Sequence, residues 1–200
     1  MENLNAIADF LFEVGILSKT PRSGFYFLGS GEQSVAEHIN RVTVIGYVLS
    51  YFKKRDGEII DENKVLKMCL FHDLPEARTS DLSYVHQKYA RADESKAIDD
   101  LAKTLPFGSE IKELLSEREV GESVEAKMAR DADQLELILS LKEQLDIGNE
   151  RAVAWIPLAV KRLKTKEAQN IAETILQTPS DNWWFHDKND PWWVSRDKDR

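Results

Sequence analysis

CLFHDLPEARTSD, residues 69–81, carries an apolar run straight into a histidine, two aspartates and a glutamate. Such groups are costly to bury unless something pairs with them, so the stretch is either the solvated end of a helix or the wall of a site. The residues before it, from about Asp61, place Val65, Leu66, Met68, Cys69, Leu70 and Phe71 on nearly all sides of a helix. That pattern predicts a central, buried element with His72 and Asp73 at its end.

The rest of the 200-residue chain bounds what such a site can be. It is 42% hydrophobic and 31% charged with nine glycines and six prolines, which suits one globular domain with a sizeable core. A net charge of −8 argues against binding duplex nucleic acid, whose affinity rests on a basic surface. An anionic ligand would then need a local basic pocket or a metal. The single cysteine, Cys69, lies between Met68 and Leu70 and reads as a small buried apolar residue, which excludes an intrachain disulfide framework. The opening MENLNAIADFLFEVGILSK has neither a basic leader nor a small-residue cleavage site, and no apolar stretch reaches membrane-spanning length. The expectation is a soluble protein of the reducing cytoplasm.

Outward from the opening stretch, the periodicity is helical throughout. Leu4, Ile7, Ala8, Leu11, Val14 and Ile16 mark a first amphipathic helix, and Pro21, Gly24, Gly29 and Gly31 punctuate the segment after it. Ser34 followed by Glu37 is a capping-box pattern for a helix running to about Phe52, with a turn at Asp56-Gly57. Residues 74–92 read as irregular, 93–104 and 108–118 as short helices separated by Pro106, and Val124 to Leu145 as one long helix. A further helical run follows Gly148-Asn149 with a kink or break near Pro157. No alternating strand pattern occurs, so the fold class is all-α: a helical domain over 1–178 and a tryptophan-rich tail over 179–200, with Trp-Trp pairs at 183–184 and 192–193.

A His-Asp pair alone decides little, and a lone histidine on an apolar helix, such as His38 in SVAEHINRVTVIGYVL, is more often a satisfied core residue than a ligand. Asp133, in ARDADQLELIL, is a third polar residue on a helix rich in apolar neighbours. Taken jointly the odds reverse, because one divalent cation satisfies several buried charges that would each cost kilocalories unpaired. Two imidazoles and two carboxylates form a hard-to-borderline donor set suited to Mn, Fe, Co, Ni or Zn. Four protein donors leave positions free for water and substrate, as in catalytic rather than structural sites.

The order H…HD…D on helices resembles the HD-domain superfamily of metal-dependent phosphohydrolases, and more closely its 5′-deoxynucleotidase branch. The motifs that carry the resemblance are Pro21-Arg22-Ser23-Gly24-Phe25, Ser34-Val35-Ala36-Glu37-His38, His72-Asp73-Leu74-Pro75-Glu76 with Asp81, and Arg130-Asp131-Ala132-Asp133-Gln134-Leu135-Glu136. The similarity spans roughly residues 4–147. It implies a compact HD-domain bundle with one divalent transition metal on His38, His72, Asp73 and Asp133, and with Glu76 and Asp81 as the acidic pair facing substrate. Arg22 and Phe25 would then contact a nucleoside monophosphate, Phe25 standing where the pattern often has Trp. Proteins similar to this one often pair, which implies a homodimer.

Elementary chemistry agrees with these roles. A metal brings bound water toward a pKa of about 7 and neutralises phosphoryl oxygens. Glu76, four residues after His72, suits protonation of a leaving oxygen; its bland alternative is a solvent-facing glutamate. Asp81 suits a sugar hydroxyl or the positioning of Arg22, or else a simple cap. The guanidinium of Arg22 suits phosphate, or else it is an exposed loop charge. Rival readings are an HD-domain phosphodiesterase or triphosphohydrolase, a non-catalytic nucleotide or metal sensor, and an adaptor docking through the tail. The tail's four tryptophans are expected to be covered by the chain's own helices or by a second subunit.

Overall fold

The computed structural model describes residues 4–196, so the outermost residues of the expected domain and tail, 1–3 and 197–200, lie outside it. Among the described residues there is no strand; the one β feature there is an isolated antiparallel bridge between Pro21 and Ser34. The helices are α1 (Leu4–Ile16), α2 (Gly24–Leu28), α3 (Val35–Arg55), α4 (Glu62–Phe71), α5 (Glu76–Thr79), α6 (Glu94–Ala102), α7 (Gly108–Val120), α8 (Val124–Asp146), α9 (Arg151–Val160), α10 (Lys166–Gln177), α11 (Asn182–Phe185) and α12 (Trp192–Ser195). None is long and apolar enough to cross a membrane.

Local chemistry sets most boundaries. The capping box at the head of α3 forms as its sequence predicts: Ser34 Oγ accepts from Glu37 N–H, and Glu37 returns a carboxylate to Ser34 N–H. Asp61, Ser123 and Thr165 accept from the third residues of α4, α8 and α10 in the same way. Helix α4 stops at Phe71 because a proline at 75 cannot donate to Phe71 O and its ring would clash there. The chain goes on in three-residue turns, with Leu74 N–H donating to Phe71 O and Glu76 N–H to Asp73 O. Pro157, by contrast, lies inside α9, and the break comes at Lys161–Lys164. The segment 20–33, expected to be loop, contains the short α2, and 74–92 contains α5 and a 3₁₀ turn at His86–Lys88.

Helix α8 is the axis of the molecule. It packs against α3, α4, α7, α9 and α10, and Met128, Ala129, Ala132, Leu135, Ile138 and Leu141 are sealed around it. The expectation of a central helix at 61–71 is therefore corrected. Val65, Met68 and Cys69 are buried, but Leu70 is 49% exposed, so α4 offers one face to the core rather than all of them. A close crossing of α3 and α4 depends on Gly46, where a Cβ would stand 2.7 Å from Cys69 Sγ. A second apolar cluster joins Phe10 of α1, Val35 and Ile39 of α3, Leu74, and Leu101, Leu105, Ile111 and Leu115 of the α6–α7 hairpin. The two clusters grip α3 and α4 from both sides and fix the ends of those helices relative to α8.

The chain's own helices do not cover the tail tryptophans, contrary to one of the two expectations for them. Trp183 is 83% exposed, and Trp184, Trp192 and Trp193 are also exposed. Trp184 and Phe185 stack on each other instead, and Trp193 meets both rings edge to face. Ser180 N–H donates to Asp146 Oδ2 at 2.8 Å, linking the start of this segment to the end of α8.

Candidate active site

Three helices bring the four expected ligands together. His38 lies one turn into α3, His72 and Asp73 follow the last turn of α4, and Asp133 lies on α8. The donor atoms of His38, His72 and Asp133 all lie within 4.8 Å of one another. His38 Nε2 is 3.3 Å from His72 Nε2, 3.3 Å from Asp133 Oδ1 and 3.4 Å from Asp73 Oδ2, and His72 Nε2 is 3.2 Å from Asp73 Oδ2. Donors bound about 2.1 Å from a common ion stand roughly 3.0–3.4 Å apart, so this spacing and this nitrogen and oxygen donor set fit one divalent cation.

Each of the four has an outer partner, which for Asp73 meets the same oxygen that faces the imidazoles. His72 Nδ1 is 2.8 Å from Cys69 O, His38 Nδ1 is 2.7 Å from Glu136 Oε2, Arg118 Nη2 donates to Asp133 Oδ2 at 3.0 Å, and Arg22 Nη1 donates to Asp73 Oδ2 at 3.3 Å. The electrostatics favour positive charge at the centre. Burial and Arg22 push the His38 imidazole down, but hydrogen bonds with Asp133 and Glu136 and the charge of Asp73 outweigh them and raise it to about 9. Burial would raise Asp73 and Asp133, yet the two imidazoles and the neighbouring arginines hold both well below the ordinary carboxylate range.

Glu76 behaves oppositely. Burial first, and then the charges of Asp73 and Asp81, push its carboxyl up to about 10. Its Oε2 is buried with no hydrogen-bond partner. It opens α5 rather than continuing α4, so its placement comes from the turn at Pro75 and not from the helical step after His72. Asp81 follows Ser80, whose φ of 63° turns the chain back toward the loop before α2. There Asp81 Oδ2 accepts from Ser23 N–H at 2.5 Å, and Oδ1 stands 4.0 Å from Arg22 Nη1. Of the two roles expected for Asp81, the geometry favours positioning Arg22.

A cavity of about 390 Å³ opens from this centre, within the range of small-molecule sites. Arg22, Asp73, Glu76, Asp81, Asp133 and Glu136 line its charged end, and Phe25, Leu137, Leu141 and Trp155 belong to its apolar wall. Arg162 stands over the Tyr84 ring at 4.5 Å and also donates to Gln134. Sequence reasoning assigned no role to Glu136, Arg41, Arg118, Trp155 or Arg162. Glu136 stands three residues after Asp133 and so on its face of α8, a usable signal. Arg118 comes from α7 and has no local signal at all.

Residues 14–175 match the family model described as HD domain. The 5′-deoxynucleotidase HDDC2 of Mus musculus is 30% identical over 149 residues, 70% of this chain and 71% of that protein. The 5′-deoxynucleotidase hdd1 of Schizosaccharomyces pombe is 25% identical over 190 residues, 89% of this chain and 92% of that protein. A conserved hypothetical protein of Pyrococcus furiosus superposes with a TM-score of 0.75 and 30% identity, over 86% of this chain and 99% of that one. The histidines and aspartates gathered between α3, α4 and α8 thus lie inside the matched region, and the chain belongs to the HD-domain family.

Proposed function

We propose that the protein is a metal-dependent phosphohydrolase that removes the 5′-phosphate from (deoxy)ribonucleoside monophosphates. The observation that carries this reading is the meeting, at one end of a cavity of about 390 Å³, of three donors within 4.8 Å of one another, with Asp73 against both imidazoles, and a buried carboxyl, Glu76, whose pKa burial raises. His38, His72, Asp73 and Asp133 would hold the ion, and their chemistry suits Mn, Co, Fe, Ni or Zn. When bound, such an ion activates water and neutralises phosphoryl oxygens.

The remaining work falls to the chain's own side chains. Arg22 presents a planar guanidinium to the phosphate at the charged end of the cavity, and Asp81 holds its loop in place through Ser23 N–H. Glu76 carries the proton that a departing 5′-oxygen needs, and the same burial that raises its pKa keeps that proton in place. Phe25 and Trp155 supply flat apolar surface for the base at the other end. The names of the HDDC2 and hdd1 relatives support the substrate class.

We also read the protein as a cytoplasmic homodimer. The uncovered tail tryptophans support the assembly, as does a stripe of exposed Val44, Tyr47, Val48 and Tyr51 along one face of α3. The single buried cysteine supports the compartment.

The function is tested by phosphate release from chelator-stripped protein reconstituted with each of the five metals. The substrates are the common 5′- and 3′-monophosphates, a bis-ester and the nucleoside triphosphates. Turnover confined to 5′-monophosphates and dependent on added metal is expected. Equal or faster turnover of the bis-ester or triphosphates, or none of any substrate, would overturn the reading.

A further inference from the structure

We propose that Glu136, anchored by Arg41, is a positioning residue that fixes the orientation of His38 and thereby sets the affinity of the centre for its cation. The proposal rests on His38 being a ligand. Glu136 is 1% exposed and would be an isolated buried charge if nothing engaged it. Its two oxygens divide the work. Oε1 accepts from Arg41 Nε at 3.0 Å, Arg41 Nη2 at 2.7 Å, Gln33 Nε2 at 2.7 Å and Ser140 Oγ at 3.1 Å. Oε2 is left to His38 Nδ1 at 2.7 Å.

An ionised carboxylate only accepts, so His38 Nδ1 carries a hydrogen and Nε2 is the nitrogen left to face the cluster and hold a cation there. His72 reaches the same orientation through a different acceptor, the backbone carbonyl of Cys69. A carbonyl fixed by its own helix cannot be removed by substitution and carries no charge. Glu136 does both jobs for His38: it orients the ring and strengthens its donor nitrogen.

Arg41 makes the arrangement rigid. It lies three residues after His38 on α3, as Glu136 lies three after Asp133 on α8, so each ligand-bearing helix supplies one member of the pair. Arg41 is itself held, with Nη1 on Glu143 Oε1 at 2.6 Å and Nη2 on Ser140 Oγ at 2.6 Å. A chain of bonds thus runs from the half-exposed Glu143 through Arg41 and Glu136 to His38. Glu136→Gln breaks it in a defined way, because one amide oxygen satisfies either Arg41 or His38 and the NH₂ group opposes the other.

The test is calorimetric titration of chelator-stripped full-length protein with Co²⁺, read alongside the visible Co²⁺ absorption. The variants are Glu136→Gln, Arg41→Gln, Arg41→Lys and His38→Ala, each checked by circular dichroism. Glu136→Gln is expected to weaken Co²⁺ about 10–100-fold, the usual scale for an outer partner of a ligating histidine, and to alter the absorption envelope. Arg41→Lys should recover more affinity than Arg41→Gln. If Glu136→Gln does not fold, a tenfold or greater loss in folded Arg41→Gln supports the proposal and wild-type affinity there overturns it. Folded Glu136→Gln with wild-type affinity and spectrum also overturns it. His38→Ala separates the two levels: if it binds Co²⁺ normally, the ligand reading itself has failed, and if it alone loses Co²⁺, only the role of Glu136 has.

Discussion

Asp131 and Asp133 belong to the same Asp-Ala-Asp step of α8, yet Asp133 faces the imidazole of His38 and Asp131 faces away from it, and substitution should separate them. Asp131 is fully buried and accepts three hydrogen bonds from the far side of the core: Lys164 N–H to Oδ1 at 2.8 Å, and Thr165 N–H and Oγ1 to Oδ2, both at 2.7 Å. Thr165 in turn caps α10, so Asp131 ties the axis of the molecule to the start of its last long helix. Asp131→Ala removes an ionised acceptor and strands two backbone donors at a partly buried junction. With each such bond worth about 1.5–3 kcal/mol, and some of the loss recovered by water, a net cost of about 4 kcal/mol follows. For a chain of this size that lowers Tm by roughly 8–16 °C. Asp131→Asn keeps one acceptor oxygen and should lose about half as much. Thermal melting by circular dichroism measures the change, and Co²⁺ titration at a temperature where the variant is folded should give wild-type affinity. A cost below about 1 kcal/mol would refute the bonding argument. A folded Asp131→Ala that lost Co²⁺ as Asp133→Ala does would refute the division of labour.

Asp73→Ala should lose bound metal and phosphatase activity together, since it removes a carboxylate shared by both imidazoles; stoichiometric metal by plasma mass spectrometry with near-normal turnover would make the ligand assignment wrong. Glu76→Ala should keep metal and fold while kcat falls at least about a hundredfold, the scale of general acid–base assistance. Because the Glu76 pKa is raised, to about 10, its acid form is present through neutral pH and is lost as pH rises through that value. Wild-type kcat should therefore decline on the alkaline side, and Glu76→Gln should abolish that limb; a limb that persists in the variant assigns it to another group. Truncation after Thr178 should convert dimer to monomer by sedimentation with KM unchanged, whereas an unchanged dimer excludes the exposed tryptophans from the contact.

The all-α class, the capping box of α3 and the α6–α7 break were legible because each depends on residues a few positions apart. Pro157 was legible as a perturbation but not in its effect: α9 runs past it and ends three residues later, at Val160. A missing N–H disturbs a helix less when the packing of Ala152, Ile156 and Ala159 holds both sides of it. Glu136, Arg41 and Arg118 were not legible as site residues. A charged residue on a helix has the same local sequence whether it faces water or a buried partner, and these partners are 15 to 98 positions away. The tail was misjudged in part for the same reason, since apolar area predicts that something must cover it but not what.

An apolar helix runs into His72 and Asp73 because the end of that helix is itself part of the polar scaffold. Phe71 and Leu74 stay in the apolar clusters on either side, while Cys69 turns its free carbonyl onto His72 Nδ1. Carbonyls of the last helical turn lack intrahelical partners, so α4 supplies an orienting acceptor for His72 at no cost in buried polar groups. Pro75 keeps the helix from running on past this turn, and the same turn carries Glu76 into the cavity wall. On α3 the corresponding histidine lies in the first turn, where the carbonyls behind it already accept helical bonds, and there a buried carboxylate comes from α8 with an arginine to neutralise it. The different partners of the two imidazoles therefore follow from where each one falls along its helix.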